Sequence, residues 1–207
     1  MDTTSSSHSI EWGVAQKALP GETVSGDLHL VQPHARGVLL AVVDGIGHGR
    51  EATNAAALAI ETLRQRPAET VLLLLRRCHA ALAQTRGVVM TLADFNSDED
   101  TLTLSGVGNV EAVLFRAGTR AARPRETALL RGGTVGDQLP EPYASVLPVH
   151  PGDVLVMISD GLRNDFGSDF PLRGPAQRLA DQILQKNFKG TDDALALVVR
   201  FRPEHHE

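Results

Sequence analysis

The chain has 207 residues, of which 42% are hydrophobic and 4% aromatic, and its formal net charge is −5 at pH 7. This length and apolar content predict one sizeable domain with an aliphatic core. The mild acidity and the lack of a basic stripe exclude a nucleic-acid binder held by phosphate contacts. The single cysteine, Cys78, excludes a disulfide within the chain and fits a reducing compartment.

No stretch of the sequence has the length of a membrane-spanning helix. The longest leucine run covers residues 71–75 and ends at two arginines, far short of the roughly 20 apolar residues needed. The first ten residues are polar and rich in serine and threonine, which is not the pattern of a signal peptide. We therefore expect no membrane association and a cytoplasmic location.

The first half of the chain is predicted to contain strands, then two helices, then strands again. Cys78 lies on the apolar face of the second helix, and we interpret it as a core residue. Residues 96–100 are predicted to be an exposed hairpin tip, because they lack the central glycine and final glutamate of an EF-hand loop. The predicted strands cover residues 11–18, 28–31, 38–43, 88–93, 101–106 and 110–116, and the helices cover 50–66 and 68–85.

The second half begins with residues 118–148, which are rich in Gly, Pro and Arg and predict a long loop with one weak strand. A strand over 154–159, a helix over 173–187 and a strand over 194–201 follow. Because this order is not the alternation of a parallel sheet, we predict an α/β fold, an α/β/β/α sandwich of two mainly antiparallel sheets flanked by helices. We expect one domain over residues 10–202, between a disordered N-terminus (1–9) and a flexible tail (203–207).

Four aspartate motifs mark the edges of apolar segments. Two hydrophobic runs end in Asp-Gly, at Asp44 and at Asp160; Asp27 precedes the first run, and Asp192 follows the second. An aspartate at the end of a buried strand is costly unless a cation or several donors meet it. One aspartate alone is typical of a helix cap or a turn, but four predict carboxylates that converge on hard divalent ions, which prefer oxygen ligands.

The residue types indicate how such ions would be shared. Asp44 is the expected bridging ligand, and the adjacent Gly45 leaves its carbonyl free to turn toward an ion. Asp160 and Asp192 would complete the ligands of one ion, and Asp27 would bind the other ion, partly through water. Paired ions about 3.5–4 Å apart activate water for attack on phosphorus. No nucleophile motif is present, and a dinucleotide-binding turn is excluded by the glycine spacing after Asp44.

These motifs resemble, in order, those of the metal-dependent type-2C (PPM) protein phosphatases, and most closely their SpoIIE-type bacterial branch. Further segments are similar to the small stressosome phosphatases of the sigma-B stress pathway. The motifs are Ser25-Gly26-Asp27, Val43 to Gly49, Ser159-Asp160-Gly161 and Asp192-Asp193, and the further segments are Arg86-Gly87 and Ser105 to Val110.

The resemblance implies a single phosphatase domain that hydrolyses phosphoserine or phosphothreonine with two Mn²⁺ or Mg²⁺ ions. Asp44, Asp160 and Asp192 would be catalytic, together with His48 as the candidate proton donor. Asp193 would either bind metal or orient its neighbour. The implied metal ligands are Asp27, Asp44, Gly45, Asp160, Asp192 and Asp193.

Three positions depart from the family pattern. Ile46 stands where many members carry a histidine; His48 is available nearby, although it also fits a solvent-facing residue at a helix start. Asn164 occupies the position of a third-metal carboxylate and is followed by Asp165, which favours two ions. Arg50 is the candidate for a phosphate-binding arginine.

We therefore predict a monomeric phosphatase that acts on a phosphorylated STAS-domain protein in bacterial stress signalling. Two alternatives remain open at this point. The chain could be a phosphatase-fold binding module without turnover, or a hydrolase of small phosphate esters.

Overall fold

The computed structural model describes residues 10–118, 125–164 and 172–202. The predictions for the two chain ends and for Asp165 lie outside these residues. Eleven strands and three helices are found within them. In chain order the elements are β1 (Ile10–Lys17), β2 (Asp27–His34), β3 (Gly37–Gly45), α1 (Arg50–Gln65), α2 (Val71–Leu82), β4 (Val88–Asn96), β5 (Thr101–Val107), β6 (Glu111–Phe115), β7 (Arg125–Thr127), β8 (Leu130–Arg131), β9 (Ser145–Pro148), β10 (Val154–Ile158), α3 (Ala176–Asn187) and β11 (Ala194–Phe201).

The strands form two stacked sheets. The first sheet has the order β1-β11-β10-β6-β7, and the second has the order β2-β3-β4-β5-β8, with β9 paired to β5. All of these pairs are antiparallel except β5 with β8. Helices α1 and α2 pack on the outer face of the second sheet, and α3 packs on the first. The predicted sandwich of two mainly antiparallel sheets flanked by helices is confirmed.

Strand β3 shows why its sequence is apolar without a break. Leu39, Ala41 and Val43 pack against the helices, whereas Leu40 and Val42 pack against the opposite sheet. Successive side chains of a strand point to opposite faces, so a strand that is covered on both sides needs apolar residues at every position. The same layering gives three core regions, one between the sheets and one under each set of helices.

Several predicted boundaries differ from the structure. Residues 118–148 contain the three short strands β7, β8 and β9 instead of one weak strand. Strands of two to four residues are too short to show an alternating pattern. Strand β2 extends to His34 through Pro33, which an edge strand tolerates because its outer N–H positions need no partner.

Two local predictions are confirmed. Cys78 is fully buried under α1, and burial raises the pKa of its thiol to about 12. Between β4 and β5 the chain makes a tight hairpin turn, in which Asp98 N–H donates to Asn96 Oδ1 at 3.0 Å; residues 98–100 are exposed as predicted, whereas Ser97 is buried. Among the described helices, none combines the length and apolar character that crossing a bilayer requires.

Candidate metal centre

The second sheet places Asp27 and Asp44 side by side. Asp27 is the first residue of β2, Asp44 is the penultimate residue of β3, and their Cα atoms are direct partners across the antiparallel pair. Gly45 continues this arrangement, because its N–H donates to the Gly26 carbonyl at 3.1 Å. Both carboxylates therefore leave the sheet at the same edge.

The first sheet brings Asp160 and Asp192 to the same place. Asp160 follows the end of β10, and Asp192 precedes the start of β11, which is the antiparallel neighbour of β10. Asp44, Asp160 and Asp192 line one pocket of about 350 Å³. The other lining residues are Ile46, Gly47, Val89, Gly108, Asn109 and Gly132.

Asp27 is buried next to this pocket and connects the two sheets. Its Oδ2 accepts a hydrogen bond of 2.6 Å from Ser159 Oγ, which in turn accepts one from Leu195 N–H at 2.9 Å. Its Oδ1 is buried and has no hydrogen-bond partner among the described residues. Burial raises the pKa of Asp27 to about 7, with Asp193 and Asp160 adding to the rise and Ser159 opposing it.

Asp44 is the most strongly perturbed carboxyl group of the pocket. Burial raises its pKa to about 9, and the negative charges of Asp27, Asp160, Asp192 and Asp193 add to this rise. The pKa of Asp160 is also raised, first by burial and then by Asp192. The metal-free pocket thus retains protons at pH values where free aspartate is ionised, which is how an uncompensated cluster of carboxylates behaves.

Both carboxylate oxygens of Asp193 accept hydrogen bonds from backbone N–H groups. Oδ1 accepts from Leu19 N–H at 2.7 Å, and Oδ2 accepts from Gly26 N–H at 2.6 Å. The side chain is buried, so these contacts join the end of the first sheet to the segment that leads into β2. Asp192 differs, because its Oδ1 accepts from Asp193 N–H at 2.8 Å and it faces the pocket.

The glycines of the motifs permit close packing around these carboxylates. A Cβ on Gly161 would lie 1.9 Å from the Asp193 carbonyl oxygen, and a Cβ on Gly45 would lie 2.2 Å from the Ala52 carbonyl oxygen. Neither position has room for a side chain. The glycines after Asp44 and Asp160 therefore let a neighbouring backbone approach.

The carboxylates share a pocket but do not form a closed ligand set. Within residues 10–118, 125–164 and 172–202, no group of three or more His, Cys, Asp or Glu side chains is arranged to hold a metal ion. Their mutual effects on pKa, which act over longer distances than coordination bonds, still show that they form one electrostatic unit. The unpartnered Asp27 Oδ1 and the raised pKa of Asp44 fit a site that a divalent cation would complete.

The other predicted residues lie around this pocket in different ways. His48 is exposed, and its Nδ1 lies 2.9 Å from Glu22 Oε1. Arg50 is an exposed residue at the start of α1, and neither it nor His48 lines the pocket. Ile46 does line it. Asn164 donates a hydrogen bond to Glu111.

Three polar residues near the pocket were missed as site residues. Asn109 Nδ2 donates to Asp160 Oδ2 at 2.8 Å, and Lys189 Nζ donates to the Asp160 carbonyl at 2.5 Å. Ser159 holds Asp27, as described above. Ser159 and Asn109 belong to quoted motifs and could have been found there, whereas nothing in the sequence marks Lys189.

Solved structures share this two-sheet architecture over most of the chain. One, from work on the bacterial stressosome as a modular system adapted to control secondary messenger signaling, has a TM-score of 0.84 at 29% identity and covers 93% of this chain and 100% of that chain. RsbX in complex with magnesium has a TM-score of 0.81 at 20% identity and covers 93% of this chain and 95% of that chain. The fold is therefore of the class found in RsbX.

Sequence comparison specifies the family. The phosphoserine phosphatase RsbX of Bacillus subtilis (strain 168) is 27% identical over 105 residues, which are 51% of this chain and 53% of RsbX. The chain thus spans about half the length of this curated relative in the match. The model of the Stage II sporulation protein E (SpoIIE) family matches residues 34–202, and the chain belongs to that family. The resemblance inferred from the acidic motifs is confirmed.

Proposed function

We propose that this protein is a metal-dependent protein serine/threonine phosphatase. The observation that carries the proposal is the convergence of Asp44, Asp160 and Asp192 from both sheets on one pocket, with Asp27 buried beside it and the pKa of Asp44 raised to about 9. Family membership and the similarity to a phosphoserine phosphatase support the same activity.

Two Mg²⁺ or Mn²⁺ ions would be held by the pocket carboxylates and the Gly45 carbonyl. Bound there, they would supply a nucleophilic hydroxide from water at neutral pH and neutralise phosphoryl oxygens. Asp44 pairs with Asp27 across β2 and β3 and lines the pocket with Asp160 and Asp192, so it would suit a position shared by both ions. Both carboxylate oxygens of Asp193 accept hydrogen bonds from backbone N–H groups. We therefore propose that Asp193 orients Asp192 and the segment around Gly26 and does not bind metal directly.

The candidate proton donors are water and His48. His48 pairs with Glu22 at the surface and stands apart from the pocket lining, so a catalytic role requires the histidine to leave Glu22. A His48→Gln variant that keeps full kcat and its pH profile would assign the proton to water. If His48→Gln removes the acidic or the basic limb of the pH profile of kcat, the proton donor is assigned to the histidine.

We propose a phosphorylated STAS-domain protein of a bacterial stress pathway as the substrate. The support is the likeness to RsbX and to a structure from work on the stressosome. The protein would act in the cytoplasm as a monomer. Sedimentation equilibrium tests the oligomeric state directly.

The experiment is hydrolysis of a serine-phosphorylated STAS-domain protein with Mg²⁺ or Mn²⁺ and with EDTA. We expect turnover with either metal, none with EDTA, and a loss of at least about 100-fold in kcat for Asp44→Asn and Asp160→Asn. Asp181→Asn, an exposed aspartate on α3, is the matched control and should retain activity.

Other outcomes would identify the alternatives. Metal uptake by calorimetry without turnover of any phosphate ester would indicate a binding module. A higher kcat/KM for p-nitrophenyl phosphate than for every phosphoprotein tested would indicate a small-molecule hydrolase. Full activity of Asp44→Asn would refute the assignment of the pocket.

A further inference from the structure

Arg86 lies at the rim of the acidic pocket. A Cβ on Gly47 would be 3.0 Å from Arg86 Nη1, and Gly47 lines the pocket together with Asp44 and Asp160. Gly47 has φ +92°, a conformation that favours glycine, and the missing side chain leaves room for the guanidinium. The guanidinium therefore lies beside a residue of the pocket lining, although Arg86 is not itself a lining residue.

The backbone around Arg86 is fixed relative to the metal-binding segment. Ile46 N–H donates to the Gly87 carbonyl at 3.1 Å, which ties the Arg86 turn to the residues directly after Asp44. Gly87 N–H also donates to Thr85 Oγ at 3.0 Å within the turn. The backbone that carries the arginine side chain is thus held in place, and its guanidinium is more than half exposed.

The present partner of Arg86 is Glu51, in the first turn of α1. The two side chains are 56% and 67% exposed, respectively. Ion pairs between exposed side chains contribute little, because water and salt screen them. A phosphate group that reaches the rim can take the place of Glu51 without breaking any buried contact.

A bound phosphate would bring negative charge that the pocket does not already balance. Two divalent ions, together with Lys189 at the Asp160 carbonyl, would offset the five aspartates of the site. A phosphate monoester adds about −1.5 to −2 at pH 7, and this charge would need a further partner. Arginine offers a planar fork of donors that matches phosphate oxygens, so it is suited to supply the missing charge.

We propose that Arg86 binds the phosphoryl group of the substrate, exchanging Glu51 for phosphate at the rim of the pocket. The proposal rests on the phosphatase function proposed above. It assigns Arg86 to substrate binding and leaves the activation of water to the metal site.

The test compares Arg86→Ala, Arg86→Lys and Glu51→Gln with the wild-type protein in Mg²⁺. KM and kcat are measured with a phosphoserine peptide, and the inhibition constant is measured for inorganic phosphate. We expect Arg86→Ala to raise KM and the inhibition constant by at least about tenfold with a smaller change in kcat, because a charge-assisted contact to phosphate is lost. Arg86→Lys should recover part of the loss, and Glu51→Gln should lower both constants about two- to threefold.

The matched control is Arg76→Ala, since Arg76 pairs with Glu141 and the two side chains are 60% and 86% exposed. It should change neither constant. Unchanged constants in Arg86→Ala, with a folded protein by circular dichroism, overturn the proposal while the phosphatase function stands. If the wild-type protein hydrolyses no phosphate ester, the proposed function fails instead. Calorimetric titration of inorganic phosphate with Mg²⁺ then decides on Arg86: equal affinity in wild type and Arg86→Ala overturns its role, and a loss of at least about tenfold supports it.

Discussion

Replacing Asp44 by asparagine is expected to stabilise the metal-free protein and to reduce strongly the stabilisation that metal binding gives. The physical reason is the raised pKa of Asp44, about 9 in the fold against 3.8 for the ordinary group. Between these two values the unfolded chain is ionised while the folded protein must retain a proton. Stability of the metal-free protein therefore falls as pH rises from about 4 to about 9.

The magnitude at pH 7 follows from this interval. About three pH units separate pH 7 from the ordinary pKa of 3.8, and each costs about 1.4 kcal/mol, which gives about 4 kcal/mol. The asparagine of Asp44→Asn would be neutral at every pH and so avoids this cost. Burying part of its polar amide would lower the free energy of unfolding by about 1 kcal/mol. We expect a net gain of about 3 kcal/mol, or an increase in Tm of roughly 6–12 °C for a chain of this size.

The assay is thermal unfolding of the wild-type protein and Asp44→Asn in EDTA, at pH 5, 7 and 8. The stability gain of Asp44→Asn should fall below about 1 kcal/mol at pH 5, because pH 5 is only slightly above the pKa of the aspartate in the unfolded chain. With saturating Mg²⁺ the wild-type protein should gain about 3 kcal/mol at 100 times its dissociation constant, and the variant much less. Asp181→Asn is the exposed control.

Two results would refute this reasoning. The first is an Asp44→Asn protein that is less stable than wild type in EDTA at pH 7. The second is a difference between the two proteins that does not change with pH.

Three further changes test the support of the pocket. Asp193→Asn should cost about 2–4 kcal/mol in denaturant unfolding, since an amide cannot accept from two backbone N–H groups as the carboxylate does. Gly161→Ala should cost at least about 1–3 kcal/mol because its Cβ would overlap a carbonyl oxygen, whereas Gly118→Ala, with open space around it, should be neutral. Ser159→Ala should weaken Mg²⁺ binding in calorimetry by about tenfold, because Asp27 loses its orienting donor; unchanged affinity would contradict that role.

The sequence was informative where one physical demand dominated the choice of residues. Residues 38–43 of β3 are apolar at every position because both faces of the strand are covered, and Asp44 directly after them stands out for that reason. An aspartate at the end of such a strand needs compensation, so the pocket could be inferred from spacing and chemistry alone. The layered fold followed from the order of strands and helices in the same way.

Other features depend on contacts that sequence patterns do not record. Asp192 and Asp193 are neighbours of the same type, and only the fold shows that one faces the pocket while the other holds two backbone amides. Lys189 reaches the Asp160 carbonyl from a turn without any motif. Arg86 lies at the pocket because Gly47 leaves space for it.

Both sheets contribute carboxylates to the pocket, so the geometry of the pocket depends on the packing of the core. Asp27 and Asp44 come from the second sheet, whereas Asp160 and Asp192 come from the first. Their separation is therefore set by the apolar layer between the sheets, and Ser159 spans that junction through its bond to Asp27. Because close-packed layers resist small displacements, the sandwich keeps mutually repelling carboxylates together until cations bind them. The stability lost to this repulsion is what metal binding restores.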